Sequence, residues 1–262
     1  MLFNSTTFLI FLVIIFLIFW KATSYSVSFG KIILLLGSYI FYGWWDWRFL
    51  ILIIISSATD FFIGNQIFKA DKIRKRKLLL IASLVLNLGM LFFFKYFNFF
   101  IESFKALFAP FTNTGEWSTL NIILPVGISF YTFQTLSYTI DIYYRKTEPA
   151  SSALTFFTFV AFFPQLVAGP IERARNLIPQ FETKRVFSFD QGTSGLKLIL
   201  WGLFKKMVIA DQLAEIVNAV YASPERFNGT GIILTTILFG FQIYRDFSGY
   251  SDIAIGTALI WD

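Results

Sequence analysis

Apolar residues in this chain come in long continuous runs, not in the two-residue alternation of a half-buried strand, and short polar or basic breaks separate the runs. A helix that crosses a bilayer needs about 20 mainly apolar residues. Residues 2–20, 32–47, 49–68 and 78–94 approach that length, and their continuity argues against a transmembrane barrel. The pattern therefore predicts an all-α polytopic membrane protein, with residues 1–262 forming a single transmembrane domain because no long charged, Gly/Ser-rich or Pro-rich stretch divides them.

Cations set the direction of the runs. The first run has no basic start and no small-residue cleavage site, and Lys21 follows it, so it reads as a retained helix with its N-terminus outside. The second run returns outward to Trp44, Trp45 and Trp47, which suit the interface. The third meets Lys69, Lys72, Arg74, Lys75, Arg76 and Lys77, the strongest positive-inside signal in the chain. Residues 78–94 lead outward again, residues 97–108 form an amphipathic stretch expected along the outer interface, and residues 110–121 form an outer loop. Residues 122–140 then run inward to Tyr144, Arg145 and Lys146.

The apolar stretch 154–168 joins this basic loop to another that holds Arg173, Arg175, Lys184 and Arg185, so a simple span breaks parity. At about 1.5 Å per residue it reaches roughly 22 Å, short of a core of roughly 30 Å, and Pro164, Gly169 and Pro170 break helices. The expectation is a re-entrant element, tolerated at membrane depth only where protein or a water-filled cavity satisfies the backbone. Further on, residues 196–204 read as a short or interfacial helix, 207–221 as an outward run, 223–230 as an outer turn and 232–244 as an inward run.

Composition sharpens the class. With 56% hydrophobic and only 15% charged residues, and 35 Phe, the chain has too little polar surface to coat a water-soluble globule of 262 residues. The net charge of +6 sits in short clusters beside apolar runs, which fits topology signals and anionic-lipid contacts rather than nucleic-acid binding. The absence of Cys removes thiolate nucleophiles and disulfides, and the absence of His removes the commonest near-neutral acid/base group and metal ligand.

Ionisable groups within apolar segments are the functional candidates, because isolated charge in lipid is costly. They are Asp60, Asp141, Arg145, Arg245, Asp246 and Asp252. Around the expected re-entrant tip, Gln165, Pro170 and Arg173 could line a cavity or contact an anionic or thioester ligand, though backbone capping would also explain them. The stretch 244–252 packs two Tyr, two Asp, two Ser, among them Ser251, and an Arg into nine residues at an expected helix end. No phosphate-binding glycine loop, nucleophile elbow or metal-ligand pattern occurs, and the sequons at Asn4 and Asn228 carry little information.

Five segments carry a family resemblance: YIFYGWW from Tyr39, LPVGISFYTFQTLSYTIDIY from Leu124, FFPQLVAGPIERARNLIPQ from Phe162, GLFKKMVIAD from Gly202 and FSGYSDIAIG from Phe247. Together they resemble the membrane-bound O-acyltransferase family, most of all its bacterial branch of alginate O-acetyltransferases and teichoic-acid D-alanyl transfer proteins. The resemblance implies a helical ring with re-entrant segments around a tunnel, of which this chain would be the N-terminal portion. It also implies a cytoplasmic acyl donor such as acetyl-CoA or an acyl carrier, with no resident cofactor or metal. The acceptor would be an exported polysaccharide, with periplasmic or extracellular acyltransferase partner proteins, in the cell inner membrane. The family's essential His lies in a Trp-His segment beyond the Tyr-Ser-Asp motif, whereas this chain has no His. Its last residues, 257–262, depart from the family pattern as a truncated or frameshifted reading frame would, so the chain alone is expected to be inactive. A transporter or channel subunit is another reading of the same broken helices and intramembrane charges, and a non-functional remnant of a truncated gene is a third.

Overall fold

The computed structural model describes residues 1, 3–108, 122–166 and 172–261, and every regular element among them is helical. In chain order these are α1 (Thr6–Tyr25), α2 (Val27–Asp46), α3 (Leu50–Lys69), α4 (Ile73–Leu91), α5 (Phe97–Phe108), α6 (Ile128–Tyr143), α7 (Ala153–Ala161), α8 (Phe163–Leu166), α9 (Ala174–Glu182), α10 (Phe189–Leu203), α11 (Asp211–Ala222) and α12 (Gly229–Leu259). Three continuous helical stretches, Thr6–Tyr25, Val27–Lys69 and Ile73–Leu107, are long and apolar enough to cross a membrane. Their exposed faces carry Ile10, Val13, Leu17, Ile51, Ile55, Val85 and Phe92, side chains that suit lipid rather than water. The protein is an all-α membrane protein.

Several boundaries differ from the sequence reading. The stretches 78–94 and 97–108 are not separate, because one π-helical turn (Phe92–Tyr96) carries α4 directly into α5 and no Pro interrupts them. Helix α6 starts at Ile128 rather than at residue 122: Pro125 has no amide hydrogen to donate, and Gly127 caps the helix with φ 73°. The expected short helix 196–204 and the run 207–221 are likewise one helical stretch, since a second π segment (Phe204–Ala210) joins α10 to α11. The stretch 244–252 lies inside α12, not at a helix end.

The apolar stretch 154–168 breaks at Phe162, two residues before Pro164, and Gly169 and Pro170 lie outside the described residues. Helix α7 has nine residues, about 14 Å long, and ends before Phe162; α8 has four. Neither is long enough to cross a bilayer. Residues 155, 156 and 158–166 are buried in protein, which is where backbone at such a break can find partners.

The chain divides into two compact units. The first comprises the described parts of Met1–Trp45, Phe162–Ile171 and Phe181–Asp262. Its core is aromatic: Phe8, Phe11, Phe41 and Phe163 pack with ring centroids 5.3–6.5 Å apart, and Phe3 joins them 4.9 Å from Phe8. Trp261 is 2% exposed and packs on Phe16, Phe19 and Phe163. Ser38 ties α2 to α8, since its hydroxyl accepts the Phe163 N–H at 3.2 Å while donating to the Leu34 carbonyl.

The second unit comprises the described parts of Asp46–Ala161 and Glu172–Gln180, with α3, α4 and α6 packed together and α7 against α3 and α6. Gly64 lets Tyr138 lie against α3, because a Cβ there would stand 2.8 Å from that ring. The Tyr138 hydroxyl accepts the Ala150 N–H at 3.2 Å, and Gln134 donates to the Phe159 carbonyl at 2.8 Å. At one end Arg76 donates to the Tyr143 carbonyl, and Arg145 donates to the Phe68 carbonyl at 2.8 Å while lying over the Phe68 ring. Arg145 takes φ 59°, the left-handed turn that closes α6. These contacts gather the end of α3, the start of α4 and the end of α6, the basic ends that the charge pattern places on one side.

Candidate functional site

The densest charged cluster among the described residues lies where α10 and its π segment cross α12. The two helices run antiparallel: Gly195 faces Gly256 and Gly202 faces Gly249, each pair so close that a Cβ on Gly195 or Gly202 would stand 2.6 Å from the opposite carbonyl oxygen. On both helices the two glycines are seven residues apart, so they recur on one face and let the backbones touch, as small residues do between membrane helices. This contact sets the register of every side chain nearby.

Immediately past Gly202 the helix widens into its π segment, a geometry frequent at functional sites, and presents two consecutive lysines to α12. Lys205 Nζ lies 2.6 Å from Asp252 Oδ2 and donates to Ser248 Oγ at 3.0 Å. Lys206 Nζ bridges Asp246 Oδ1 at 2.6 Å and Asp211 Oδ1 at 2.8 Å, and lies 5.5 Å from the Tyr250 ring centroid. The side chains of Lys205 and Asp252 are only 12% and 18% exposed, so the pair is shielded. Phe204, Met207, Val208 and Phe247 are exposed at the same level, so apolar side chains surround the cluster on the outside. Ammonium groups clasped by carboxylates in this way act as electrostatic and positioning groups rather than as free nucleophiles. No three His, Cys, Asp or Glu among the described residues are grouped to hold a metal.

Of the residues singled out in the sequence, the structure brings Asp246 and Asp252 together through the two lysines. Arg245 lies over the Tyr244 ring instead, 5.6 Å from its centroid. The Ser251 hydroxyl is buried with no hydrogen-bond partner among the described residues. Gln165 is 8% exposed within α8, next to the aromatic core rather than in the ion-pair cluster. Arg173 is exposed and starts α9 through its carbonyl, which accepts from Asn176 and Leu177. Pro170 lies outside the described residues. Sequence reasoning missed Lys205, Lys206 and Asp211 as site residues, because the lysines read as loop cations, while Ser248 was counted in the stretch 244–252. The available signal was that apolar residues continue on both sides of Lys205 and Lys206 without a breaker.

A second polar cluster stands in the other unit. Asp60 of α3 is fully buried: its Oδ1 accepts from Ser83 Oγ at 2.6 Å and its Oδ2 from Asn87 Nδ2 at 2.7 Å, both on α4. Asn87 Oδ1 in turn accepts from Ser56 at 2.8 Å and from Thr135 of α6 at 3.4 Å, and Thr139 stands 3.2 Å from Ser83. The cluster holds three helices by hydrogen bonds at a depth where an unpaired polar group is costly. Asp141, also singled out, is 6% exposed and its Oδ2 has no hydrogen-bond partner among the described residues.

Comparison with known proteins adds relatives. No family model matches the chain. It is 35% identical over 261 residues, 99% of its length, to the probable alginate O-acetylase AlgI of Pseudomonas aeruginosa, and 32% identical over 291 aligned positions to the peptidoglycan O-acetyltransferase of Helicobacter pylori. A teichoic acid D-alanyltransferase of Streptococcus thermophilus is 24% identical over 56% of the chain. The chain spans about half the length of the curated relatives it matches, 49% and 54% for the first two. The helical membrane architecture and the near end-to-end similarity to proteins named for O-acetyl transfer agree with the resemblance to the membrane-bound O-acyltransferase family.

Proposed function

We propose that the chain is part of an enzyme that transfers an acyl group, acetyl above all, to a hydroxyl of an exported or cell-surface polysaccharide. The observation that carries this reading is the match over 99% of the chain to relatives named for O-acetylation of alginate, joined by one named for O-acetylation of peptidoglycan. The donor is a cytoplasmic thioester such as acetyl-CoA or an acyl carrier. The enzyme sits in the cytoplasmic (inner) membrane with the N-terminus outside, and works with periplasmic or extracellular partner proteins.

In this reading residues 1–262 contribute part of one transmembrane domain and no general base. Acyl transfer from a thioester needs a group that takes the proton of the attacking hydroxyl, a role suited to imidazole, and this chain has no His. Asp246 and Asp252 are engaged by Lys206 and Lys205 and serve to position the wall of the site. The 262 residues alone are accordingly inactive.

The test is ester-linked acetate on purified surface polysaccharide, measured by proton NMR in cells that lack the locus. Loss of acetate on deletion, with restoration by the complete reading frame but not by residues 1–262 alone, is the expected result. Unchanged acetylation after deletion would overturn the proposal.

A further inference from the structure

The first unit contains an apolar groove that the acyl-transfer reading does not use. Two helices form its walls with the same spacing: Leu12, Val13 and Phe16 on α1, and Gly192, Thr193 and Leu196 on α10. Phe187, Phe189 and Ile260 complete the lining, and the cavity measures about 190 Å³. Depth comes from Gly192, where a Cβ would stand 3.2 Å from the Phe187 ring. A space of this size lined by Leu, Ile and Phe takes hydrocarbon in preference to water.

Its position identifies the hydrocarbon. Leu12 to Phe16 lie at the middle of α1, a helix of 20 residues and so about 30 Å long, the thickness of the bilayer core. Val13, Leu196 and Phe189 are 58%, 55% and 76% exposed, so the groove opens sideways, toward lipid. Beyond Phe16 its wall is Phe187, whose ring packs on Phe16 and on Trp20, the residue before Lys21, with centroids 5.9 and 5.3 Å away. Two exposed cations adjoin these rings in the chain, Lys21 directly after Trp20 and Lys184 three residues before Phe187. Arg185, next to Lys184, is engaged elsewhere, donating to the Trp261 carbonyl at 3.1 Å.

We infer that this groove is a binding site for an anionic phospholipid, one acyl chain lying between α1 and α10 and the phosphate resting between Lys21 and Lys184. Apolar walls at mid-membrane depth and a pair of cations adjoining them in the chain match the two halves of such a molecule. A zwitterionic lipid offers the same chain but no net charge to the lysines. The site therefore discriminates by headgroup.

The test uses the full chain, purified from vesicles of equimolar phosphatidylglycerol and phosphatidylcholine, with retained lipid counted by native mass spectrometry. The expected result is about one phosphatidylglycerol per chain, enriched several-fold over phosphatidylcholine. Leu196→Trp, which fills the groove, should lose the retained lipid, and Val13→Trp on the facing wall should do the same if the first variant folds poorly by circular dichroism. Lys21→Gln with Lys184→Gln should keep a lipid but lose the headgroup preference. Retained lipid with the composition of the vesicles, or retention unaffected by both tryptophan variants, would overturn the assignment. So would a lipid-free dimer that cross-links through Val13→Cys, which would give the groove to a second copy.

Discussion

Replacing Gly202 by Ala and, separately, Gly240 by Ala makes the same chemical change within the α10–α12 pair and should move stability in opposite directions. At Gly202 the new Cβ would stand 2.6 Å from the Gly249 carbonyl oxygen and 2.9 Å from the Ile253 nitrogen, both backbone atoms that no rotamer change can move. Ordinary contact begins at 3.4 Å, so the helices must separate by about 0.8 Å. Such overpacking costs roughly 1–3 kcal/mol, at the upper end here because the obstacle is backbone, and Ala recovers about 1 kcal/mol of helix propensity. The net loss is about 2 kcal/mol. At Gly240, on the same α12, nothing lies within 4 Å of the added carbon, so only the propensity gain of about 1 kcal/mol acts. For a chain of this size, roughly 2–4 °C per kcal/mol turns these into a midpoint lowered by about 4–8 °C and one raised by about 2–4 °C. Thermal unfolding of the purified chain in one detergent, followed by circular dichroism, reads both. If Gly202→Ala stabilises as Gly240→Ala does, the helices are not in backbone contact and the register assigned to the ion pairs is wrong.

Two further predictions rest on the polar clusters. Asp252→Asn should cost about 3–5 kcal/mol by leaving the Lys205 ammonium shielded without its carboxylate, whereas Lys205→Met combined with Asp252→Leu should return close to wild type; a double variant as unstable as the sum of the single ones would show that the pair is not coupled. In the other unit, Ser83→Ala removes the donor to Asp60 Oδ1 and should cost about 1–3 kcal/mol, while Ser137→Ala, whose hydroxyl donates to the carbonyl of Gln134 in its own helix, should stay within about 0.5 kcal/mol. Equal effects of the two serine variants in chemical denaturation would remove the three-helix role assigned to Asp60.

Helix class and the long apolar spans were legible because an apolar run near 20 residues has few other solutions, and α1 and α3 fall close to the runs 2–20 and 49–68. The break after Ala161 was legible for a similar reason, since Pro164 lies in an apolar stretch already too short to cross. What failed was reading charge as the end of a helix. Lys205, Lys206, Arg245 and Asp246 each looked like a boundary, yet all four sit within continuous helix, because a lysine that finds a carboxylate on the facing helix need not seek the interface. That pairing joins residues 40 and 47 positions apart and depends on glycine contact, which no local window contains. The same blindness hid the partners of Asp60, which come from helices beginning at Ile73 and Ile128.

The ion-pair cluster also constrains the order in which the chain can enter a membrane. Lys205, Lys206 and Asp211 lie on the first arm of a helical hairpin, Asp246 and Asp252 on the second, and a turn of residues 223–228 joins the arms. Presented singly, each charge would resist insertion by roughly 2.5–3.5 kcal/mol at mid-membrane. On the first arm alone Asp211 offsets Lys206 but nothing offsets Lys205, whose carboxylate partner, Asp252, lies on the second arm. If residues 189–259 enter the bilayer, they do so at least cost as two arms together, with Lys205 meeting Asp252 and Lys206 meeting Asp246.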